Sequence, residues 1–145
     1  MFFAIAFLVT ALTGNNDARY EYPVKVTGIH DGDTIVVDFD LGLGLWLHGQ
    51  RVRLYGLDAP ELNTNPGIQA KNSLQALIAD HDVTVETISD KKDKYGRWLG
   101  RIWIKGTGDW CSAGSWCNAN EWLVTNGYAK PYYGSSKKKE GLGQE

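Results

Sequence analysis

The sequence predicts an α+β domain in which five short β-strands build one sheet structure and two α-helices flank it. Three observations support this prediction: five segments with strand patterns, two segments with helical periodicity, and a length that suits one domain. The chain has 145 residues, of which 43% are hydrophobic and 22% charged, a composition typical of a globular protein with one core. The order of three strands, a helix, two strands and a helix fits a small closed barrel of the OB type. It also fits an open five-stranded sheet.

The strand predictions rest on the alternation of apolar and polar residues. In residues 51–57, Val52 and Leu54 lie on one face and Arg51 and Arg53 on the other. Residues 41–50 are predicted to be a glycine-rich connection that ends in a Gly–Gln turn, and the charged residues 89–97 to be a second turn. The predicted strands are residues 24–29, 34–40, 51–57, 83–88 and 98–104.

Two segments have the pattern of amphipathic helices. The first, residues 68–80, follows Pro66 and Gly67, which mark its start, and its apolar residues recur with helical spacing. The second begins near Asn118, three residues before Glu121, which is a capping-box arrangement, and ends at Gly127. The apolar stripe of the first helix consists of Ala70, Leu74, Leu77 and Ile78.

Both ends of the chain are predicted to lie outside the folded domain, which spans residues 20–135. The opening run, MFFAIAFLVTALTG, is shorter than the roughly 20 apolar residues that span a bilayer, and it suits the apolar region of a secretory signal. No Lys or Arg precedes it and its cleavage pattern is loose, so an N-terminal strand of a cytoplasmic protein is the alternative. We expect residues 1–18 to be a signal peptide or apolar leader of a secreted or periplasmic protein, and residues 136–145 to be a lysine-rich flexible tail.

The cysteines and the net charge limit the possible classes of protein. Cys111 and Cys117 do not have the spacing of a zinc half-site. An exported chain would join them in a disulfide, whereas a cytosolic chain would keep two free thiols. The formal net charge of −2 excludes a generally basic surface, so binding of a polyanion would need a local cluster or a metal ion.

The stretch HDGDTIVV places two carboxylates, Asp31 and Asp33, at the start of an apolar strand. An EF-hand loop is excluded, because a loop that began at Asp31 would need a ligand, a glycine and a glutamate where Ile35, Val36 and Gly42 stand. A simple Asp–Gly turn into a strand is the alternative to a metal site.

A second cluster, RVRLYGLDAPE at residues 51–61, favours the metal site. It ends in Asp58 and Glu61, and these acids could converge with Asp33 on a divalent cation. A third cluster, DKYGR at residues 93–97, adds Arg97 beside the next strand. Carboxylates for a metal, a spare carboxylate for water and two arginines for phosphate are what a phosphodiester displacement needs.

Five motifs in order resemble the staphylococcal nuclease, or thermonuclease, family over residues 24–133. The resemblance implies a five-stranded OB barrel with two flanking helices. The chain departs from the family in one element, since we expect the third, C-terminal helix to be absent. The resemblance further implies calcium-dependent hydrolysis of DNA, RNA or both by water attack at phosphorus, which leaves 3′-phosphates. The motifs are DGDT, VRLYGLDAPE, QAKNSLQALI, DKYGRWLGRIWI and NEWLVTNGYAKPYY.

The resemblance also implies roles for individual residues by motif position. Asp33 and Asp58 correspond to carboxylates that bind one calcium ion, and other divalent metals are possible. Ala59 corresponds to a backbone-carbonyl ligand, and Asp31 and Thr34 lie beside the metal. The implied catalytic residues are Arg53, Glu61 and Arg97, and the implied substrate-binding residues are Lys94, Tyr95 and Tyr133.

The chain departs from the family pattern at one tyrosine, where Ser135 stands, and in the segment CSAGSWC, which looks like an insertion. We expect a monomer without a stable membrane anchor that takes DNA or RNA as substrate. A non-catalytic nucleic-acid-binding module on the same barrel is the alternative.

Overall fold

The computed structural model describes residues 20–134. The predicted leader at 1–18, the tail at 136–145 and Ser135 lie outside the described residues. The strands are β1 Glu21–Asp31, β2 Thr34–Asp40, β3 Trp46–Leu54, β4 Leu57–Asp58, β5 Val83–Lys92, β6 Trp98–Lys105, β7 Trp116–Asn118 and β8 Lys130–Pro131, and the helices are α1 Asn65–Ile78 and α2 Ala119–Thr125.

Five strands close into a barrel, which confirms the predicted OB-type α+β fold and rules out the open sheet. The strand order is β3-β2-β1-β5-β6, and a further pairing of β3 with β6 closes the ring. That pairing is parallel and places Val52 opposite Trp98 and Leu54 opposite Gly100. A Cβ at Gly100 would lie 2.9 Å from Val85 Cγ1, so a glycine is needed where the strands approach closely.

The barrel interior is filled by the apolar faces that the alternation predicted. Val52 and Leu54 are buried, together with Ile35 and Val37 of β2. Helices α1 and α2 close the barrel with buried leucines of their own. In the described residues no helix is long and apolar enough to cross a membrane.

Several predicted boundaries are wrong. Strand β3 begins at Trp46, because its first residues pair with β2 (Asp40 with Trp46, Phe39 with Leu47), so residues 46–50 are strand and not connection. Strand β5 continues to Lys92 and takes in the start of the predicted turn. Helix α1 begins at Asn65 rather than 68, since the Thr64 side chain accepts a hydrogen bond from Gly67 N–H and caps it.

Candidate active site

The Asp31–Gly32–Asp33 turn joins β1 to β2 and is packed on two sides. Asp33 N–H donates to Asp31 Oδ1 at 3.0 Å, which closes an Asx turn. A Cβ at Gly32 would lie 2.7 Å from Ala70 Cβ of α1 and 2.8 Å from Ala59 Cβ. Only glycine lets the turn fit this gap, and the fit brings Asp33 against the segment that follows β4.

The Asp33 carboxylate is buried, with 7% of the residue exposed, and it is held by three groups. Its Oδ1 accepts from Thr34 Oγ1 at 3.2 Å and its Oδ2 from Ala59 N–H at 2.9 Å. Arg53 Nη1 lies 3.3 Å from the same Oδ2. Burial, followed by the hydrogen bond with Asp31, raises the pKa of Asp33 to about 6, although Ala59 N–H and Arg53 lower it. The cost of burying the ionised carboxylate therefore outweighs the stabilisation that Ala59 N–H and Arg53 give it.

Arg53 links the two carboxylates that the sequence predicted as metal ligands. Its Nη2 lies 3.2 Å from Asp58 Oδ1, while its Nη1 contacts Asp33. The arginine side chain is 13% exposed and that of Asp58 61% exposed. Arg53 stands opposite Thr34 in the β2–β3 register, so the outward face of β3 delivers the guanidinium to the end of the barrel where β2 begins.

Arg97 reaches the same carboxylate through Thr34. Its Nη1 lies 3.4 Å from Thr34 Oγ1, and Thr34 donates to Asp33. Asp93 fixes the arginine from the other side: its Oδ2 accepts from Arg97 Nε at 2.7 Å and its Oδ1 from Arg97 N–H at 2.9 Å. Burial is the largest single influence on the pKa of Asp93 and raises it, but the hydrogen bonds from Arg97 and Tyr95 together outweigh burial and lower that pKa.

An open cavity of about 310 Å³ adjoins the arginines. Its lining includes Arg53 and Arg97 and the three predicted substrate-binding residues, Lys94, Tyr95 and Tyr133. The Tyr133 ring packs edge-on against Tyr55, with 5.6 Å between centroids. The structure thus brings the predicted arginines and the predicted substrate residues to one surface.

The three carboxylates predicted to converge do not form one cluster. Within residues 20–134, no three His, Cys, Asp or Glu side chains are grouped closely enough to hold a metal ion. Glu61 is exposed and has no side-chain hydrogen bond to any described residue. Its backbone carbonyl accepts from Thr64 N–H at 3.0 Å and from Thr64 Oγ1, so the start of α1 fixes its backbone while its carboxylate points to solvent.

Three residues that position the site were not predicted. Asp93 looks like one charge in a solvated turn, although its separation of four residues from Arg97 was a usable signal. Gly67 lets the backbone of Glu61 pass close to the first turn of α1, since a Cβ at Gly67 would lie 1.9 Å from Glu61 O. Asn120 is buried, and its Nδ2 donates to Tyr55 O at 2.9 Å and to Gly100 O at 3.1 Å, which ties α2 to the barrel below Tyr55.

Cys111 and Cys117 form a disulfide in the structure. It closes the loop between β6 and β7, and β7 leads directly into α2. Because α2 carries Asn120, the bond constrains the chain that reaches the tyrosine side of the cavity.

Comparisons of this chain with protein-family models and with known proteins indicate one family. A family model described as staphylococcal nuclease homologue matches residues 51–144. A thermonuclease of Staphylococcus intermedius is 36% identical over 97 residues, which are 62% of this chain and 53% of that protein. Protein ParB of Escherichia coli is 36% identical over 101 residues, or 70% of this chain and 50% of that protein. Endonuclease YhcR of Bacillus subtilis is 31% identical over 128 residues, which are 80% of this chain and 9% of that protein. The chain spans about half the length of the first two relatives.

Proposed function

This chain belongs to the staphylococcal nuclease homologue family, and from that premise we propose that it hydrolyses phosphodiester bonds of DNA, RNA or both. The relatives named thermonuclease and endonuclease support a nuclease. The observation that carries the proposal is the arginine pair: Arg53 contacts Asp33 and Asp58, and Arg97 reaches Asp33 through Thr34.

We propose that the site takes one divalent cation, calcium before other metals. The residues fit such an ion, because Asp33 and Asp58 are hard oxygen donors bridged by one arginine. The raised pKa of Asp33 marks a buried carboxylate that further positive charge would stabilise. Asp33, Asp58 and the backbone carbonyl of Ala59 would hold the ion, with Asp31 and Thr34 beside it. When bound, the ion supplies charge neutralisation at a phosphoryl oxygen.

The chain's own residues then divide the remaining work. Arg53 and Arg97 bind the scissile phosphate through paired N–H groups and stabilise the negative charge that grows on its oxygens. Glu61 accepts a proton from the attacking water, because its carboxylate has no other hydrogen-bond partner among residues 20–134. The P–O5′ bond breaks as the bond from water oxygen to phosphorus forms, the 5′ oxygen takes a proton from solvent water, and the products are a 3′-phosphate and a 5′-hydroxyl.

The cavity beside the arginines supplies the binding surface for the rest of the nucleotide. Lys94 adds a positive charge, and Tyr95 and Tyr133 offer aromatic faces to a base. The chain would act as a monomer. The apolar leader and the disulfide support secretion or a periplasmic location, and a cytoplasmic location is the alternative.

The experiment that tests the proposal incubates the full chain with supercoiled plasmid and with single-stranded RNA in calcium, magnesium or EDTA. We expect cleavage in calcium, none in EDTA, and products that a 3′-phosphatase converts to free 3′-hydroxyls. Binding of nucleic acid by the chain without cleavage in either metal would contradict the proposal and favour the non-catalytic binding module.

A further inference from the structure

The turn between β2 and β3 exposes an apolar surface that the proposed function does not use. We call residues 41–47 the hairpin tip. Leu43 is 101% exposed, and the other large apolar side chains of the hairpin tip are between 38% and 60% exposed. No residue from 41 to 47 carries a charge. A water-soluble domain does not normally concentrate apolar area in this way unless the surface contacts something.

The hairpin tip protrudes from the barrel. Gly42 and Gly44 have φ angles of +79° and +77°, and a Cβ at either would have no heavy atom of the described residues within 4 Å beyond its chain neighbours. Glycine therefore allows the reversal, and Leu43 and Leu45 stand clear of the domain. Leu41 and Leu47 instead line a small open cavity of about 80 Å³ beside Phe39 and Trp98 of the barrel. The surface is a convex projection rather than a groove, so it enters a partner instead of receiving one.

The backbone of the hairpin tip already satisfies much of its own hydrogen-bonding capacity. Leu41 N–H donates to Leu45 O and Leu45 N–H to Gly42 O, both at 2.9 Å. Gly42 N–H donates to Asp40 Oδ1 at 2.9 Å. Internal bonds of this kind lower the cost of moving a peptide segment from water into an apolar phase.

Polarity rises in steps from the hairpin tip toward the barrel. Leu43 and Leu45 come first, and Trp46 is next, opposite Asp40 in the β2–β3 register and with its ring stacked on His48 at 6.2 Å between centroids. Asp38 follows, with Oδ2 3.0 Å from His48 Nδ1. Aliphatic side chains, then an aromatic ring, then charged groups is the order that a protein presents across the boundary of a lipid bilayer.

We propose that the hairpin tip inserts reversibly into the surface of a zwitterionic lipid bilayer. A stable protein interface takes about 20–30 residues from each partner, far more than residues 41–47 offer, whereas lipid requires no matching shape. The nearest acidic groups, Asp38 and Asp40, would be repelled by anionic headgroups, so neutral headgroups fit better. Insertion of this kind is peripheral binding, not a membrane-spanning anchor.

The hairpin places this contact away from the candidate active site. Strand β2 is 7 residues long: it begins at Thr34, beside Asp33, and ends at Asp40, next to the hairpin tip. At about 3.3 Å per residue the two ends are roughly 20 Å apart. A chain held by the hairpin tip would therefore keep Arg53 and Arg97 open to substrate in solution.

The test is flotation of the full chain with phosphatidylcholine vesicles, and it uses the double variant Leu43→Ser/Leu45→Ser. Because burying one leucine is worth about tenfold or more in partitioning, we expect the double variant to lose about 100-fold in vesicle affinity. The matched control, Ile68→Ser, removes an exposed apolar side chain of α1 and should float like the wild type. Circular dichroism verifies that all three proteins are folded.

A second measurement reports insertion directly. Brominated phosphatidylcholine should quench part of the wild-type tryptophan fluorescence, and Trp46→Phe should lose that part. Vesicle binding that the double variant retains, or quenching that Trp46→Phe retains, would overturn the proposal. So would concentration-dependent dimerisation, measured by sedimentation, that the double variant abolishes while the wild type does not float. Plasmid cleavage is measured separately, so failure of the proposed nuclease activity would not affect this result.

Discussion

Asp93 holds Arg97 at two points: its Oδ2 accepts from Nε at 2.7 Å, and its Oδ1 accepts from the arginine's backbone N–H at 2.9 Å. One carboxylate thus fixes both the path of the turn and the direction of the guanidinium. Arg97 then has little freedom except to present Nη1 to Thr34. Asp93 is on these grounds a positioning residue for the proposed phosphate clamp.

Asp93→Asn should lower turnover because it removes the ion pair that fixes Arg97. A loosened arginine loses alignment in the transition state, for which a cost of about 10- to 100-fold in kcat is typical. We expect KM to change much less than kcat. Steady-state kinetics on a short duplex would show this, with Asp82→Asn, an exposed carboxylate on another turn, as control. A kcat equal to that of the wild type would show that Asp93 does not position Arg97 for catalysis.

The same carboxylate makes the stability of the 93–97 turn depend on pH. The pKa of Asp93 is lowered in the folded protein from its ordinary value of 3.8. The ionised carboxylate therefore stabilises the fold fully at pH values above 3.8, and this stabilisation is lost as pH falls through the lowered folded pKa. The difference in free energy of unfolding between the wild type and Asp93→Asn should be largest near pH 7. It should shrink below pH 3.8, as urea denaturation at the two pH values would measure. A constant difference would contradict the assignment.

Gly32→Ala should destabilise the fold and displace Asp33. Its Cβ would lie 2.7 Å from Ala70 Cβ and 2.8 Å from Ala59 Cβ, and overpacking of this kind costs about 1–3 kcal/mol. The matched control is Gly28→Ala in β1, whose nearest contact would be an ordinary 3.7 Å. Thermal denaturation of both variants measures the effect. Equal melting temperatures would show that the turn is not packed as described.

Calcium should stabilise the wild-type chain against unfolding. A ligand at about 100 times its Kd adds about 2.7 kcal/mol by mass action, which appears as a rise in Tm with calcium concentration. Asp58→Asn should abolish most of the rise, and because Asp58 is exposed the variant should fold. A calcium effect of the same size in Asp58→Asn would exclude Asp58 as a ligand.

The alternation of residues predicted the barrel well where one face of a strand is buried. Val52 and Leu54 point inward and Arg53 outward because side chains on a strand alternate between its faces. The same reasoning failed at Trp46, because residues 46–49 are exposed on both faces and show no alternation. Hydrogen bonding to β2 makes that segment a strand, and composition does not reveal such pairing.

The candidate site was predicted in part for the same reason. Asp33, Asp58 and Arg53 stand near strand ends, and the closure of the barrel brings those ends together. Glu61 lies beyond the strand, in the segment between β4 and α1, so its direction depends on the Thr64 cap and on space that only Gly67 leaves. Local sequence does not reveal such tertiary contacts, so it could not show that Asp33, Asp58 and Glu61 do not form one metal-binding group of three side chains among residues 20–134.

The most direct test of the central claim is calcium-dependent cleavage of supercoiled plasmid by the wild type, Arg97→Ala and Glu61→Ala. Loss of a transition-state donor or of a general base costs on the order of 10²-fold or more, so we predict that fall in turnover for both variants. Lys25→Ala, which removes an exposed cation of β1, should cleave like the wild type. Near-normal cleavage by both Arg97→Ala and Glu61→Ala would contradict the account.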